Sequence, residues 1–189
     1  MGPGPAGLLL AHGAGGNRDH RVFVAIETVL DLPVRRMDFA YRAKGPRQPP
    51  ARVQALVEEV ARAASEWADE LGVGTEQIVL GGRSLGGRAC SMAVAEGLPA
   101  AGLVLLSYPL HPPGKPDTLR IEHLAQVTVP TLALSGDRDP FGTPDELRHH
   151  LGALGGPWEL IELPGDNHDP KKNDELLVAS VADWIDRLS

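Results

Sequence analysis

Apolar positions along this chain alternate between two periods. Short, nearly continuous apolar runs fall at residues 7–12, 34–39, 77–80, 102–107, 131–135 and 159–163. Runs of that kind suit strands covered on both faces. Between them, apolar residues recur every three or four positions. The clearest such segment runs from about residue 51 to 71, where Val53, Leu56, Val57, Val60, Ala64, Trp67, Ala68 and Leu71 share one stripe of a helix. Leu177, Val181, Trp184, Ile185 and Leu188 repeat the pattern near the C-terminus. Thr143-Pro144-Asp145-Glu146 combines an N-cap, a proline at the first helical position and a capping-box glutamate, and so marks another helix start.

Strands alternating with helices predict a parallel sheet, because parallel neighbours need a crossover. The expected fold class is α/β: a doubly wound, mostly parallel sheet of about six strands with helices on both faces. The 189 residues suit a single domain over 1–189, with no linker and no internal repeat. Residues 108–128 hold Pro109, Pro112, Pro113 and Pro116 and read as a long functional loop with one short helix at most. That excursion is too short for a large lid, so an open site is expected.

Composition removes several function classes. Eighteen Lys and Arg against 25 Asp and Glu give a net charge of −7, leaving no surplus of cations to displace counterions from a nucleic acid. The single cysteine, Cys90, excludes a disulfide framework within the chain and a Cys-based zinc site. No stretch approaches the roughly 20 apolar residues of a membrane span. The N-terminus has no basic region, its apolar run is too short for a signal-peptide core, and Ala6 stands where a myristoylation signal needs Ser or Thr. A soluble cytoplasmic protein is expected.

Ligands in such sheets gather beyond the carboxyl ends of the strands, so the residues that follow each strand matter most. After the strand ending at Leu80 comes Gly82-Arg83-Ser84-Leu85-Gly86, a G-x-S-x-G sequence between a strand and a helix. A sharp turn there exposes the serine hydroxyl, and small neighbours (Gly81, Gly82, Gly86, Gly87) let strand and helix approach. A serine needs a base, and the base needs an acid to fix its tautomer. In this arrangement they follow in the order Ser, Asp or Glu, His. Gly136-Asp137-Arg138-Asp139-Pro140 and Pro164-Gly165-Asp166-Asn167-His168-Asp169 stand where that order requires them. His168 is the expected base, since His149 and His150 fall in a predicted helix, His20 precedes one and His123 lies in the irregular loop. Asp139 is favoured as the acid over Asp137, which is better placed to cap its own turn.

The loop His12-Gly13-Ala14-Gly15-Gly16-Asn17 follows the first strand. The backbone amides of Ala14 and Leu85 are the expected oxyanion hole, each donor contributing about 2.7–4 kcal/mol in the transition state. The rival reading, a phosphate cradle, lacks the Gly-Lys-Ser/Thr of a P-loop. A literal G-x-G-x-x-G over Gly2 to Gly7 precedes its strand where a dinucleotide site must follow one. Cys90 and His12 read as packed residues, and adjacent His149 and His150 make a poor metal pair. Arg83 and Arg88 flank the serine and suit either an acidic substrate group or local salt bridges; His111 is placed to line the pocket.

The elbow, the residue order and the His-Gly loop resemble the α/β-hydrolase superfamily over essentially the whole chain, near its dienelactone-hydrolase-like members. Those carry cysteine at the elbow, where this chain has Ser84. Gly81-Gly82-Arg83-Ser84-Leu85-Gly86-Gly87-Arg88, Ser107-Tyr108-Pro109-Leu110-His111-Pro112-Pro113-Gly114-Lys115-Pro116 and Arg138-Asp139-Pro140-Phe141-Gly142-Thr143-Pro144 resemble one small branch. It is the branch of testis-expressed protein 30 and of subunit 3 of the non-specific-lethal chromatin complex. The resemblance implies triad places for Ser84, Asp139 and His168. It also implies that the two N-terminal strands usual in the superfamily are absent, which exposes a sheet edge and is compatible with a homo-oligomer.

The resulting expectation is a serine hydrolase acting on a small-molecule ester or related acyl substrate, with no cofactor, no metal, and neither nucleic acid nor membrane as partner. Its rivals are a non-catalytic binding or assembly module of the same fold, and an acyltransferase.

Overall fold

The structure, a computed structural model, describes residues 4–45 and 47–188. The Gly2-to-Gly7 match and the myristoylation test at Gly2 begin outside those residues. The elements in chain order are β1 (Gly7–Ala11), α1 (Arg21–Val29), β2 (Val34–Met37), α2 (Val53–Leu71), β3 (Ile78–Arg83), α3 (Leu85–Ala95), β4 (Gly102–Leu106), β5 (Thr131–Gly136), α4 (Pro144–Leu151), β6 (Trp158–Leu163) and α5 (Asp174–Asp186).

The six strands form one sheet in the order β2-β1-β3-β4-β5-β6, and every neighbouring pair is parallel. This is the expected doubly wound α/β architecture. The order reverses between β1 and β3. Connections leave those two strands in opposite directions, which opens a crevice at their carboxyl ends. The Gly-rich loop after β1 and the turn after β3 both border that crevice.

Successive side chains on a strand face opposite ways, so each strand supplies two cores. Leu9, Ala11, Leu80, Leu103, Leu105 and Ala133 pack in one cluster with residues of α2, α3 and α4. Leu8, Leu10, Val79, Val104, Leu132 and Leu134 pack in the other with residues of α1 and α5. Burying a leucine side chain in either layer contributes about 1.5–3 kcal/mol. The edge strands depart from the continuous apolar reading. Arg35 and Arg36 of β2 and Glu159 and Glu162 of β6 lie on partly exposed strands, where charge resists pairing with another sheet.

β3 runs to Arg83 instead of stopping at Leu80. Gly81 and Gly82 pair with Leu10 and Ala11 on one side and with Val104 and Leu105 on the other, so these glycines belong to the ladder. Residues 108–128 contain only a 3-10 turn at Leu124–Gln126. Tyr108, Leu110, Leu124 and Val127 are buried, so the excursion packs down as a wall of the site. The capping box at α4 forms: Thr143 N–H donates to Glu146 Oε2 at 2.8 Å, and Glu146 N–H to Thr143 Oγ1 at 3.4 Å.

Candidate active site

Ser84 has φ 51° and ψ −116°, a conformation that few residues with a side chain adopt. Its N–H donates to Leu106 O at 2.8 Å, and its carbonyl accepts from Arg88 N–H at 3.0 Å. The turn closes only because glycines surround it. A Cβ on Gly82 would lie 2.5 Å from Gly86 C, and one on Gly86 would lie 2.6 Å from His12 O. Ser84 itself is partly exposed, so a substrate can reach its hydroxyl.

The structure brings Ser84, His168 and Asp139 together. His168 Nε2 lies 2.8 Å from Ser84 Oγ, and His168 Nδ1 lies 2.8 Å and 3.0 Å from the Asp139 oxygens. A carboxylate only accepts, so Nδ1 carries the proton and Nε2 accepts from the serine hydroxyl. Asp139 is 2% exposed and also accepts from Phe141 N–H at 2.8 Å and Ser135 Oγ–H at 3.4 Å. Phe141 stacks on the His168 ring, with centroids 4.0 Å apart. Asp137 is elsewhere: it is exposed and accepts from Gly165 N–H at 2.8 Å.

The loop carrying His168 is organised by Asp166. Its carboxylate accepts from the N–H groups of Lys171 (2.9 Å), Lys172 (3.1 Å) and Asn173 (3.1 Å), and from Asn173 Nδ2 (2.7 Å). Burial acts to raise the Asp166 pKa, but these donors outweigh it and hold the carboxyl below its usual range. Gly136 lets this loop close over β5, since a Cβ there would run into the Asp166 carbonyl group.

The expected oxyanion donors have a supported loop. His12 Nδ1–H donates to Gly13 O at 2.7 Å, Gly16 N–H donates to the same oxygen at 3.0 Å, and Phe39 N–H donates to His12 Nε2 at 3.2 Å. A trans peptide points its N–H opposite its C=O. The two donors on Gly13 O therefore aim the Ala14 N–H away from them. Tyr41 Oη–H fixes the next carbonyl, Ala14 O, at 3.0 Å. Leu85 is the first residue of α3, where a helix N–H has no intrahelical acceptor.

Arg83 and Arg88 differ. Arg83 Nη2 donates to His168 O at 2.8 Å and lies 3.3 Å from Asp169 Oδ1; Arg88 has no such partner among the described residues. Cys90 is fully buried, its Sγ–H faces Gly81 O at 3.3 Å, and burial pushes the thiol pKa up to about 12. His111 N–H donates to Phe141 O at 3.0 Å, tying the excursion to the Asp139 loop. His149 and His150 contact each other edge to face, and no group of three potential metal ligands occurs among the described residues. A second serine–histidine contact, Ser91 Oγ to His123 Nε2 at 2.8 Å, has different chemistry. The Ser91 hydrogen goes to Arg88 O at 2.9 Å, so His123 is the donor and cannot act as base.

Phe141 and Asp166 escaped the sequence reading, as did the second residue with positive φ, Ser107 (φ 51°), whose buried Oγ has no partner. Only Asp166 had a local signal, since aspartate bonds readily to amides just beyond it. No helix among the described residues is long and apolar enough to cross a membrane.

Several solved structures share this fold. The monoacylglycerol lipase of Paleococcus ferrophilus is 17% identical, with a TM-score of 0.74 over 98% of this chain and 96% of that one. Est1E from Butyrivibrio proteoclasticus with bound ferulic acid is 19% identical, with a TM-score of 0.80 over 98% and 90%. A thermophilic esterase from Thermogutta terrifontis is 18% identical, with a TM-score of 0.75 over 98% and 91%. At such identities the likeness is one of fold. The family model described as alpha/beta hydrolase domain matches residues 4–184, and the chain therefore belongs to the alpha/beta hydrolase family.

Proposed function

We propose that this protein is a serine hydrolase that cleaves a small ester or related acyl compound through an acyl-enzyme. The observation that carries the reading is the hydrogen-bonded line from Ser84 Oγ through the His168 ring to Asp139, 2.8 Å at each step. Ser84 Oγ bonds to the acyl carbon and gives its proton to His168 Nε2. The carbonyl electron pair moves onto oxygen, where the N–H groups of Ala14 and Leu85 receive it. Collapse breaks the bond to the leaving alcohol, which takes the proton from His168. Water then gives a proton to His168, attacks the acyl carbon and releases the acid, and Ser84 regains its proton. Asp139 keeps Nδ1–H in place and balances the imidazolium charge. Side chains and amides supply every proton and charge in this sequence, so it needs no metal or cofactor.

The esterases and the lipase among the structural relatives support an acyl substrate by analogy of fold. We also read the chain as one domain over 1–189. The segments Gly81 to Arg88, Ser107 to Pro116 and Arg138 to Pro144 favour the branch of testis-expressed protein 30 and non-specific-lethal subunit 3. Fluorophosphonate labelling tests the reading: an adduct on Ser84 that is lost in His168→Ala is expected. No adduct on folded protein would favour a non-catalytic module, and acyl products from added alcohols would favour a transferase.

A further inference from the structure

Arg88 stands one helical turn beyond Ser84 on α3, and its N–H donates to Ser84 O at 3.0 Å. Helical side chains lean toward the N-terminus of their helix, here the end that bears Ser84. Facing this side of α3 is the excursion, held by the Ser91–His123 contact of 2.8 Å. Arg120 belongs to that wall. Tyr108 Oη–H donates to Arg120 O at 2.7 Å, Arg120 N–H donates to Leu110 O at 2.9 Å, and Arg120 Nη1 donates to Pro109 O at 3.2 Å.

Among the described residues, neither guanidinium has a carboxylate within ion-pair distance. Arg88 Nε is buried and makes no hydrogen bond. The groups lie close enough to feel each other: burial lowers the Arg120 pKa first, and the Arg88 charge lowers it further. The same two causes act on His123, with Glu122 and Glu96 opposing more weakly. Glu96 is itself held by Gln54 Nε2 at 3.0 and 3.2 Å. Carboxylates are not scarce, for acidic residues outnumber basic ones 25 to 18. Arg18, Arg21, Arg35, Arg36, Arg83, Arg148 and Arg187 all have one. Two partly buried like charges with a free buried N–H are unfavourable alone and become favourable around an anion.

We infer that Arg88 and Arg120 form an anion subsite beside Ser84 that takes a carboxylate or phosphate group carried by the acyl substrate. The subsite stands on unpaired arginines; only its occupant being a substrate rests on the hydrolase reading above. An anion between the two forks would gain charge-assisted hydrogen bonds that a neutral group cannot.

Three p-nitrophenyl esters of matched length provide the test: the hemisuccinate, its neutral methyl ester, and the 3-phosphonopropionate. Wild-type kcat/KM should favour one or both anionic esters over the neutral one by about ten- to a hundredfold. The preferred one names carboxylate or phosphate as the group. In Arg88→Gln and in Arg120→Gln that ratio should fall below about threefold, with Arg88→Lys retaining part of it. A wild-type preference for the neutral ester, or a ratio unchanged in both glutamine variants, overturns the subsite. Calorimetric titration of succinate and of inorganic phosphate into Ser84→Ala separates the two proposals and does not depend on turnover. Saturable binding that Arg88→Gln abolishes supports the subsite even if no ester is cleaved. No binding, with neutral esters still hydrolysed by wild type, rejects the subsite and leaves the hydrolase standing.

Discussion

Arg83 Nη2 donates to the carbonyl oxygen of His168 at 2.8 Å, so the residue before the proposed nucleophile grips the main chain of the proposed base. The same nitrogen lies 3.3 Å from Asp169 Oδ1. Arg83 also borders the oxyanion loop, since a Cβ on Gly13 would lie 3.3 Å from its Nη1. Three loops from distant parts of the chain thus meet on one guanidinium.

Arg83→Met removes this tether without touching a reacting atom. Because displacement of a catalytic group by about 1 Å can cost about a hundredfold, kcat should fall about ten- to a hundredfold while KM stays within about twofold. Added guanidinium should restore part of kcat, a rescue that lost packing alone would not show. Steady-state kinetics with and without guanidinium checks this.

His12 predicts a pH dependence of stability. Burial holds its imidazole below the ordinary histidine value, and its Nε2 must stay unprotonated to accept from Phe39 N–H. As pH falls below about 6.5, the unfolded chain takes up this proton before the folded one does. The contribution is therefore complete above about pH 6.5 and is lost as pH falls through the lower folded value. Thermal melting from pH 8 to 5 should show a steeper loss of Tm in wild type than in His12→Asn. The slope left in the variant belongs to His20 and His123, whose pKa values burial also lowers.

Asp166 acts at lower pH. Its folded pKa is depressed, so its contribution is complete above about pH 4 and disappears as pH falls through the folded value. Asp166→Asn should cost about 1–3 kcal/mol at pH 7, because buried N–H groups lose an acceptor. Urea unfolding at pH 7 and pH 3 should show that the gap between variant and wild type narrows in acid.

The sequence makes the framework readable because each strand is a short apolar run and each polar residue of interest follows one. Ser84, Asp139 and His168 stand beyond β3, β5 and β6 for that reason. What the sequence conceals depends on distance in space. Arg83 and Arg88 look equivalent beside Ser84, yet only Arg83 meets Asp169, a residue from another loop. Phe141 has no motif, and its stacking on His168 exists only once two loops have folded. Gly81 and Gly82 read as the end of a strand because glycine is a poor strand former. Paired on both sides, they remain in β3 and give α3 room to approach.

The choice between two aspartates yields the sharpest mutational contrast. Asp139 is buried with both oxygens toward His168 Nδ1, whereas Asp137 is exposed and holds Gly165 N–H. Asp139→Asn offers the ring an amide that can donate, which permits the wrong tautomer and removes the charge facing the imidazolium. A fall in kcat of about a thousand- to ten-thousandfold is expected, with the protein still folded. Asp137→Asn should leave kcat within about threefold and cost about 0.5–1.5 kcal/mol of stability through the weakened bond to Gly165. Measured side by side on one ester, the reverse ranking would assign the acid to Asp137 and require the His168 loop to rearrange before reaction.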